Sequence, residues 1–200
     1  MMLTIGLTGP TGAGKTTVLR ALGELGCACV DCDALYHRLL QTSPVLLGEL
    51  TDRFGKSILD HSGNLDRMAL GDVVFRDPQT LADLNAIAHR HVVAACISLV
   101  NTAKAQGKKA LALDAIALIE SGLAAMCDVT VAVTAPEEVR LKRIMARDGI
   151  SRDQALRRMS AQKPVEYYVN FCDHAISNDG SKSYQAIQAE VAQLFANKLC

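Results

Sequence analysis

Leu3-Thr-Ile-Gly-Leu-Thr-Gly-Pro-Thr-Gly-Ala-Gly-Lys-Thr16 decides the fold. Its first six residues are β-rich and short, the pattern of a buried strand. The eight that follow, Gly9 to Thr16, fit G-x-x-x-x-G-K-[ST] without a mismatch. Beyond them, Thr17-Val-Leu-Arg-Ala-Leu-Gly-Glu-Leu25 places Val18, Leu22 and Leu25 at i, i+4 and i+7, the spacing of one helical face. Strand, glycine-rich loop and helix form the context in which this motif holds phosphates. The glycines let the backbone curl so that successive N–H groups converge at the positive end of a helix. Gly12, Ala13, Gly14, Lys15, Thr16 and Thr17 are therefore the candidate nucleotide-binding set. Lys15 would reach the β and γ phosphates, and the Thr16 hydroxyl would ligate Mg²⁺. The expectation is a protein that binds a nucleoside triphosphate.

Working outward, four more β-like runs follow, Cys27–Asp31, Ala110–Asp114, Val129–Thr134 and His174–Ser177, separated by helical patterns. Such alternation predicts an α/β fold with a parallel sheet and right-handed crossovers. About 75 residues separate Asp33 from Ala110, whereas a crossover needs only ~10–12. The interval is helical over Pro44–Phe54, Asp66–Phe75 and from Pro78 to about Gln106, with Asp66 and Asp77 at N-cap positions. This reads as a helical subdomain of about residues 35–109 inserted at the carboxyl edge of the sheet, where open α/β folds bind ligands. The core is then 1–34 with 110–200, in one domain, and the insertion would hold a second substrate.

Charge is uneven within a formally neutral chain. Arg140 to Lys163 carries eight Lys or Arg against two Asp. Arg140, Arg143 and Arg147 share a helical face opposite Leu141, Ile144 and Met145, and Ser151-Arg-Asp-Gln154 resembles a capping box opening a new helix. Helix, Asp148-Gly149 hinge and short basic helix suggest a lid at about 147–165 that closes over phosphates. Zero net charge, no Trp and few aromatics argue against a nucleic-acid partner. No apolar stretch reaches the ~18 residues of a membrane span. The start lacks a basic leader, so the expectation is a cytoplasmic protein with no membrane partner. Oligomeric state leaves no signal.

Phosphoryl transfer asks the protein to align donor and acceptor, to place cations on the phosphate oxygens and to orient a carboxylate toward the attacking hydroxyl. Asp31 and Asp33, ending the second strand on one side by alternation, are the candidates for that carboxylate. Asp33 also fits the N-cap of a helix beginning Ala34-Leu-Tyr-His-Arg. Asp114, ending the third strand, suits a role on Mg²⁺ through water. His89 and His91 face apart at i, i+2 on a helix, which leaves His89 a substrate candidate and no metal pair. Cys27, Cys29 and Cys32 cluster without a second Cys/His pair at zinc spacing and read as small packing thiols, with Cys27 and Cys29 on one strand face. Cys96, Cys127, Cys172 and Cys200 are scattered.

Taken together, Gly6–Thr16, Val-Asp-Cys-Asp at Val30–Asp33, Gly-Asn-Leu-Asp-Arg at Gly63–Arg67 and Leu-Asp-(x)₅-Glu-Ser-Gly-Leu at Leu113–Leu123 resemble the dephospho-CoA kinase family. So do Ala135-Pro-Glu137, Leu-Lys-Arg-(x)₃-Arg-Asp at Leu141–Asp148, Ala-Gln-(x)-Pro at Ala161–Pro164 and Asn-Asp-Gly-Ser at Asn178–Ser181. The resemblance implies a P-loop kinase-type parallel sheet flanked by helices, with ATP and Mg²⁺ as cofactors and dephospho-CoA as substrate. The γ-phosphate would pass to the ribose 3′-hydroxyl. Asp33 would face that hydroxyl, with Asp31, His89, Asp114 and Glu120 near the acceptor. Lys15 and Arg143 would act in catalysis, and Arg143, Arg147 and Asn178 would contact ATP. Three positions depart from the family pattern: Arg90 and Ile116 stand where Pro is usual, and Tyr168 where Lys is common. Another small-molecule P-loop kinase, or a nucleotide-driven switch, shares the P-loop and the lid.

Overall fold

The β-like runs all become strands in the computed structural model, which describes residues 2–195; Cys200 lies outside the described residues. β1 (Leu3–Thr8), β2 (Ala28–Asp31), β3 (Ala110–Asp114), β4 (Val129–Thr134) and β5 (His174–Ser177) form one parallel sheet in the order β2-β3-β1-β4-β5. The period of two assigns faces. Ile5, Leu7, Ala112, Val131 and Val133 point to one side, where α1 (Lys15–Glu24) and α9 (Tyr184–Phe195) cover them with Val18, Leu22, Ile187, Val191 and Phe195. Each Val, Leu, Ile or Phe side chain among these contributes about 1.5–3 kcal/mol on removal from water. On the other face Gly6 leaves room for Leu118 and Cys127; a Cβ there would lie 2.8 Å from Leu118 Cδ2 and 2.9 Å from Cys127 Sγ.

The chain divides into two compact units. One comprises the described residues through Asp31 together with those from Val100 onward, and the other is Cys32–Leu99. The second is helical: α2 (Cys32–Thr42), α3 (Pro44–Phe54), α4 (Arg67–Val74) and most of α5 (Pro78–Ala105). Leu46, Leu50, Phe54, Ile58, Leu70, Val74 and Ile87 form its core. Its helix starts are capped from the sequence. Ser43 Oγ accepts from Leu46 N at 3.2 Å, Asp66 from Met68 N and Ala69 N at 2.9 and 3.1 Å, and Asp77 from Thr80 N at 2.9 Å. Glu49 on α3 accepts from Arg90 on α5 and pairs with His91 at 3.0 Å, so Arg90 ties two helices together.

Two local expectations change. α2 begins at Cys32, directly after β2, so Asp33 lies within the first helical turn and is not the N-cap. Strand alternation also ends at Asp31, so it does not relate Asp31 to Asp33. The cysteines differ among themselves. Cys27 and Cys32 are buried, whereas Cys29 is exposed; burial pushes the Cys27 thiol up to about 11.

In the first unit, α6 (Glu137–Asp148) ends at Gly149, which takes the left-handed conformation with φ 64°. α7 (Arg152–Ser160) follows, and its capping box is complete: Gln154 N donates to Ser151 Oγ and Ser151 N to Gln154 Oε1. Leu141 and Ile144 of α6 pack on Ala155 and Met159 of α7. α8 (Val165–Phe171) buries Tyr168, which stands where the resemblance leads one to expect Lys. That burial pushes the phenol up to about 12.

Candidate active site

The P-loop runs from the end of β1 into α1 and is built against its neighbours so closely that only glycine fits. A Cβ at Gly9 would lie 2.1 Å from Val133 O, and one at Gly14 would lie 2.1 Å from Asn178 Nδ2. Gly14 also adopts φ 91°, in the left-handed region that glycine alone enters without strain. It sits at the N-cap of α1 and no side chain accepts from the first helical N–H groups, which leaves them available to an anion. Lys15 Nζ rests 3.2 Å from Gly9 O, folded back across the loop. Thr16 is exposed. The N–H groups of Ala13 and Thr17 are used within the turn, on Pro10 O at 3.2 Å and Gly14 O at 3.1 Å.

α6 supplies a clasp on this loop. Arg143 is half-buried, and its guanidinium donates to Gly12 O (3.2 Å), Ala13 O (3.3 Å) and Asn178 O (3.0 Å) through one nitrogen and to Asn178 Oδ1 (3.0 Å) through the other. Asn178 is itself fixed by its N–H on Thr134 O at 2.8 Å. Arg143, Asn178 and the P-loop therefore meet in one place, although 164 positions separate Gly14 from Asn178.

The face shared by Arg140, Arg143 and Arg147 splits by depth. Arg140 is buried with Nε on Thr11 O at 2.9 Å, and burial lowers its pKa from the ordinary value. Arg147 is exposed and forks onto Asp148 at 2.7 and 3.0 Å. Asp148 also accepts from Arg158 of α7, and this pairing, Arg147 foremost, holds its carboxyl below the usual range. Gln162, which the sequence marked only within Ala-Gln-(x)-Pro, accepts from Thr11 N at 2.8 Å. The loop after α7 thus touches the phosphate loop by a hydrogen bond that no local pattern encodes.

At the carboxyl edge of the sheet, register places Asp31 of β2 opposite Asp114 of β3, and Asp114 opposite Leu7 two residues before the P-loop. Asp114 is buried, Asp31 exposed. Glu120 is exposed in the turn after β3, close enough to Tyr168 to raise its pKa after burial. Thr8 Oγ1 reaches Ile116 O at 3.1 Å, so the first residues after Asp114 are held to β1 without the proline usual in the family. Asp33 and His89 belong to the helical unit, on α2 and α5.

The family model for dephospho-CoA kinase matches residues 3–183. A dephospho-CoA kinase from Carboxydothermus hydrogenoformans is 40% identical over 177 residues, covering 88% of this chain and 86% of that one. The chain belongs to the dephospho-CoA kinase family. Another member, from Corynebacterium glutamicum, is 33% identical over 198 residues, covering 99% of this chain and 98% of its own. Among solved structures, a Thermus thermophilus protein superposes with TM-score 0.80 at 31% identity, covering 98% of this chain and 97% of that one. A shikimate kinase from Bacteroides thetaiotaomicron, at TM-score 0.53 and 16% identity over 98% of both chains, shares the P-loop kinase fold alone. As a dephospho-CoA kinase family member the chain is an ATP-dependent kinase, and the parallel sheet with its flanking helices is that of P-loop kinases.

Proposed function

We propose that the chain transfers the γ-phosphate of ATP to the ribose 3′-hydroxyl of dephospho-CoA, giving CoA and ADP, the last step of coenzyme A synthesis. The observation that carries the reading is the P-loop clasped by Arg143 and Asn178 in a chain that matches the family along most of its length. ATP would lie with its phosphates at the N-terminus of α1, where Lys15 leaves Gly9 O to meet them. Arg143, already directed to Gly12, Ala13 and Asn178, holds the loop in shape and supplies positive charge beside it. Arg147 and the segment about 147–165 close over the phosphates as a lid, with Gln162 reporting on the loop through Thr11.

The Thr16 hydroxyl and, through water, the Asp114 carboxylate at the carboxyl edge of the sheet would hold Mg²⁺; both are hard oxygen donors, the chemistry that ion takes. The ion would supply charge neutralisation to the transferred phosphate. Asp33 would orient the 3′-hydroxyl and accept its proton, and Asp31, His89 and Glu120 would be acceptor-contact residues. The cytoplasm is the compartment we propose for it, and no helix among the described residues is long and apolar enough to cross a membrane.

The test is ADP release with dephospho-CoA as acceptor, set against nucleoside monophosphates and shikimate. Dephospho-CoA should be the best acceptor by at least about 100-fold in kcat/KM, a difference of ~2.7 kcal/mol in transition-state binding. A monophosphate or shikimate that turned over faster would replace this reading with another small-molecule kinase.

A further inference from the structure

Arg140 of α6 is 7% exposed, and its one hydrogen bond among the described residues runs from Nε to Thr11 O at 2.9 Å. Both terminal nitrogens of the guanidinium are left without a partner, and a buried cation in that state is costly until an anion meets it. Arg140 lines a cavity of about 910 Å³, within the ~300–1,000 Å³ typical of small-molecule sites. The ends of β4 and β5 contribute one side of it. Val131, Val133 and Ile176 face α1 and α9, so alternation turns Thr134 to the other face of the sheet, and register sets Ser177 beside it. Ala135, Leu156, Met159 and Val165 supply apolar wall, with Ala135 and Met159 buried. Arg157, Lys163, Glu137 and Glu166 also line the cavity, but all four are exposed, where water screens their charges. The buried guanidinium therefore sets the sign of the site. No residue from Gly9 to Thr17 lines this cavity, nor do Arg143, Arg147, Asn178 or any residue of the helical unit.

We infer that this cavity is an effector site, separate from the nucleotide loop, for an organic anion whose carboxylate or phosphate head meets Arg140 and whose apolar body lies along Leu156, Met159 and Val165. Either head matches the guanidinium, because two oxygens can take the terminal N–H groups that Thr11 leaves open. A bare inorganic anion would leave the apolar wall in water, so a ligand with an apolar body gains from covering it. The effector role follows from what holds Thr11. Arg140 Nε donates to its carbonyl, and Gln162, which also lines the cavity, accepts from its N–H at 2.8 Å. The loop packs on the α6 backbone as well, where a Cβ at Gly12 would lie 2.7 Å from Arg140 O. A ligand seated against Arg140 and Gln162 would bear on both groups that fix Thr11, two residues into the phosphate loop. Its binding and that of ATP are then linked, each altering the other's affinity by the same factor. The site does not depend on which acceptor the kinase uses.

The experiment is isothermal titration of the full chain with hexanoate, hexyl phosphate and hexanol, each alone and with a non-hydrolysable ATP analogue. At least one of the two anions should bind at one site per chain with a Kd at or below about 1 mM, and hexanol at least about tenfold more weakly. The tighter anion names the head group. Saturation with it should change the Kd of the ATP analogue about threefold or more, and the analogue should change the anion's Kd by the same factor. Ser177→Phe fills the cavity from an exposed strand position and keeps Arg140, so it should melt as the parent does and lose anion affinity about tenfold or more. Arg140→Met keeps the volume and removes the partner of the head, so it should bind anion and alcohol alike. Equal binding of hexanol and both anions by the parent, or parent-like anion binding by a folded Ser177→Phe chain, would overturn the site. Full displacement of the anion by the ATP analogue or by dephospho-CoA would make the cavity part of a substrate site and overturn it as well. An anion that bound without moving the analogue's Kd would be an adventitious occupant, and the effector role would fall.

Discussion

Arg143 donates to two carbonyls of the P-loop and to both oxygens of Asn178, so a single guanidinium ties the phosphate loop to the turn after β5. Removing it leaves several part-buried acceptors without a donor, and an unsatisfied buried polar group costs about 1–3 kcal/mol. Arg143→Ala should therefore lower the stability of the nucleotide-free protein by about 2 kcal/mol and weaken ATP binding as the loop loosens. Arg143→Lys should recover little, since an ammonium cannot span the carbonyls of two segments as the fork does. Thermal melting without nucleotide is the check, and a parent-like Tm for Arg143→Ala would mean the clasp forms only with ATP. Helical spacing in the sequence put Arg140, Arg143 and Arg147 on one face but could not rank their depth. Thr11 O and Asn178, which decide it, stand 129 and 35 positions away from Arg140 and Arg143.

β4 and β5 show how an element at the edge of the sheet is held. Asp173, just before β5, accepts from Thr130 N at 2.7 Å and Thr130 Oγ1 at 2.8 Å. These bonds, the backbone one first, hold its carboxyl below the usual range. A carboxylate depressed in the fold stabilises it fully above its unfolded value, near pH 4, and loses that contribution as pH falls through the folded value. The denaturation midpoint should thus fall on acidification below about pH 4, and Asp173→Asn should flatten part of that slope. An unchanged slope would assign the acid limb to the other depressed carboxylates, such as Asp60 and Asp77. The elements themselves were largely readable, because periods of two and 3.6 and side-chain caps are local. Ser151, Asp66 and Asp77 cap as their positions suggested. The start of α2 escaped because β2 runs into it with no glycine, proline or other turn residue between them.

Across the whole chain the glycine-rich loop was legible because it is contiguous, whereas the Arg143–Asn178 clasp upon it is assembled by topology. The helical unit begins at Cys32, directly after β2, and ends at Leu99 within α5, and Asp33 is the second residue of its first helix. That position separates its two conceivable contributions. As a first-turn acid it interacts favourably with the helix dipole, worth about 0.3–1 kcal/mol at an exposed site, and Asn keeps part of that through its carbonyl oxygen. Stability of Asp33→Asn should therefore stay within about 1 kcal/mol of the parent. A carboxylate that accepts the acceptor's proton acts in the transition state, where such assistance is typically worth 10²–10⁴-fold. Turnover of dephospho-CoA should fall by about that factor while ATP affinity, set by the P-loop in the other unit, stays near the parent value. Parallel measurement of Tm, ATP Kd and kcat decides the matter. Full turnover in a stable Asp33→Asn protein would move the proton-accepting role to Asp31 or Asp114 at the sheet edge. A loss of activity that only tracked the folded fraction would instead make Asp33 part of the helix start and nothing more.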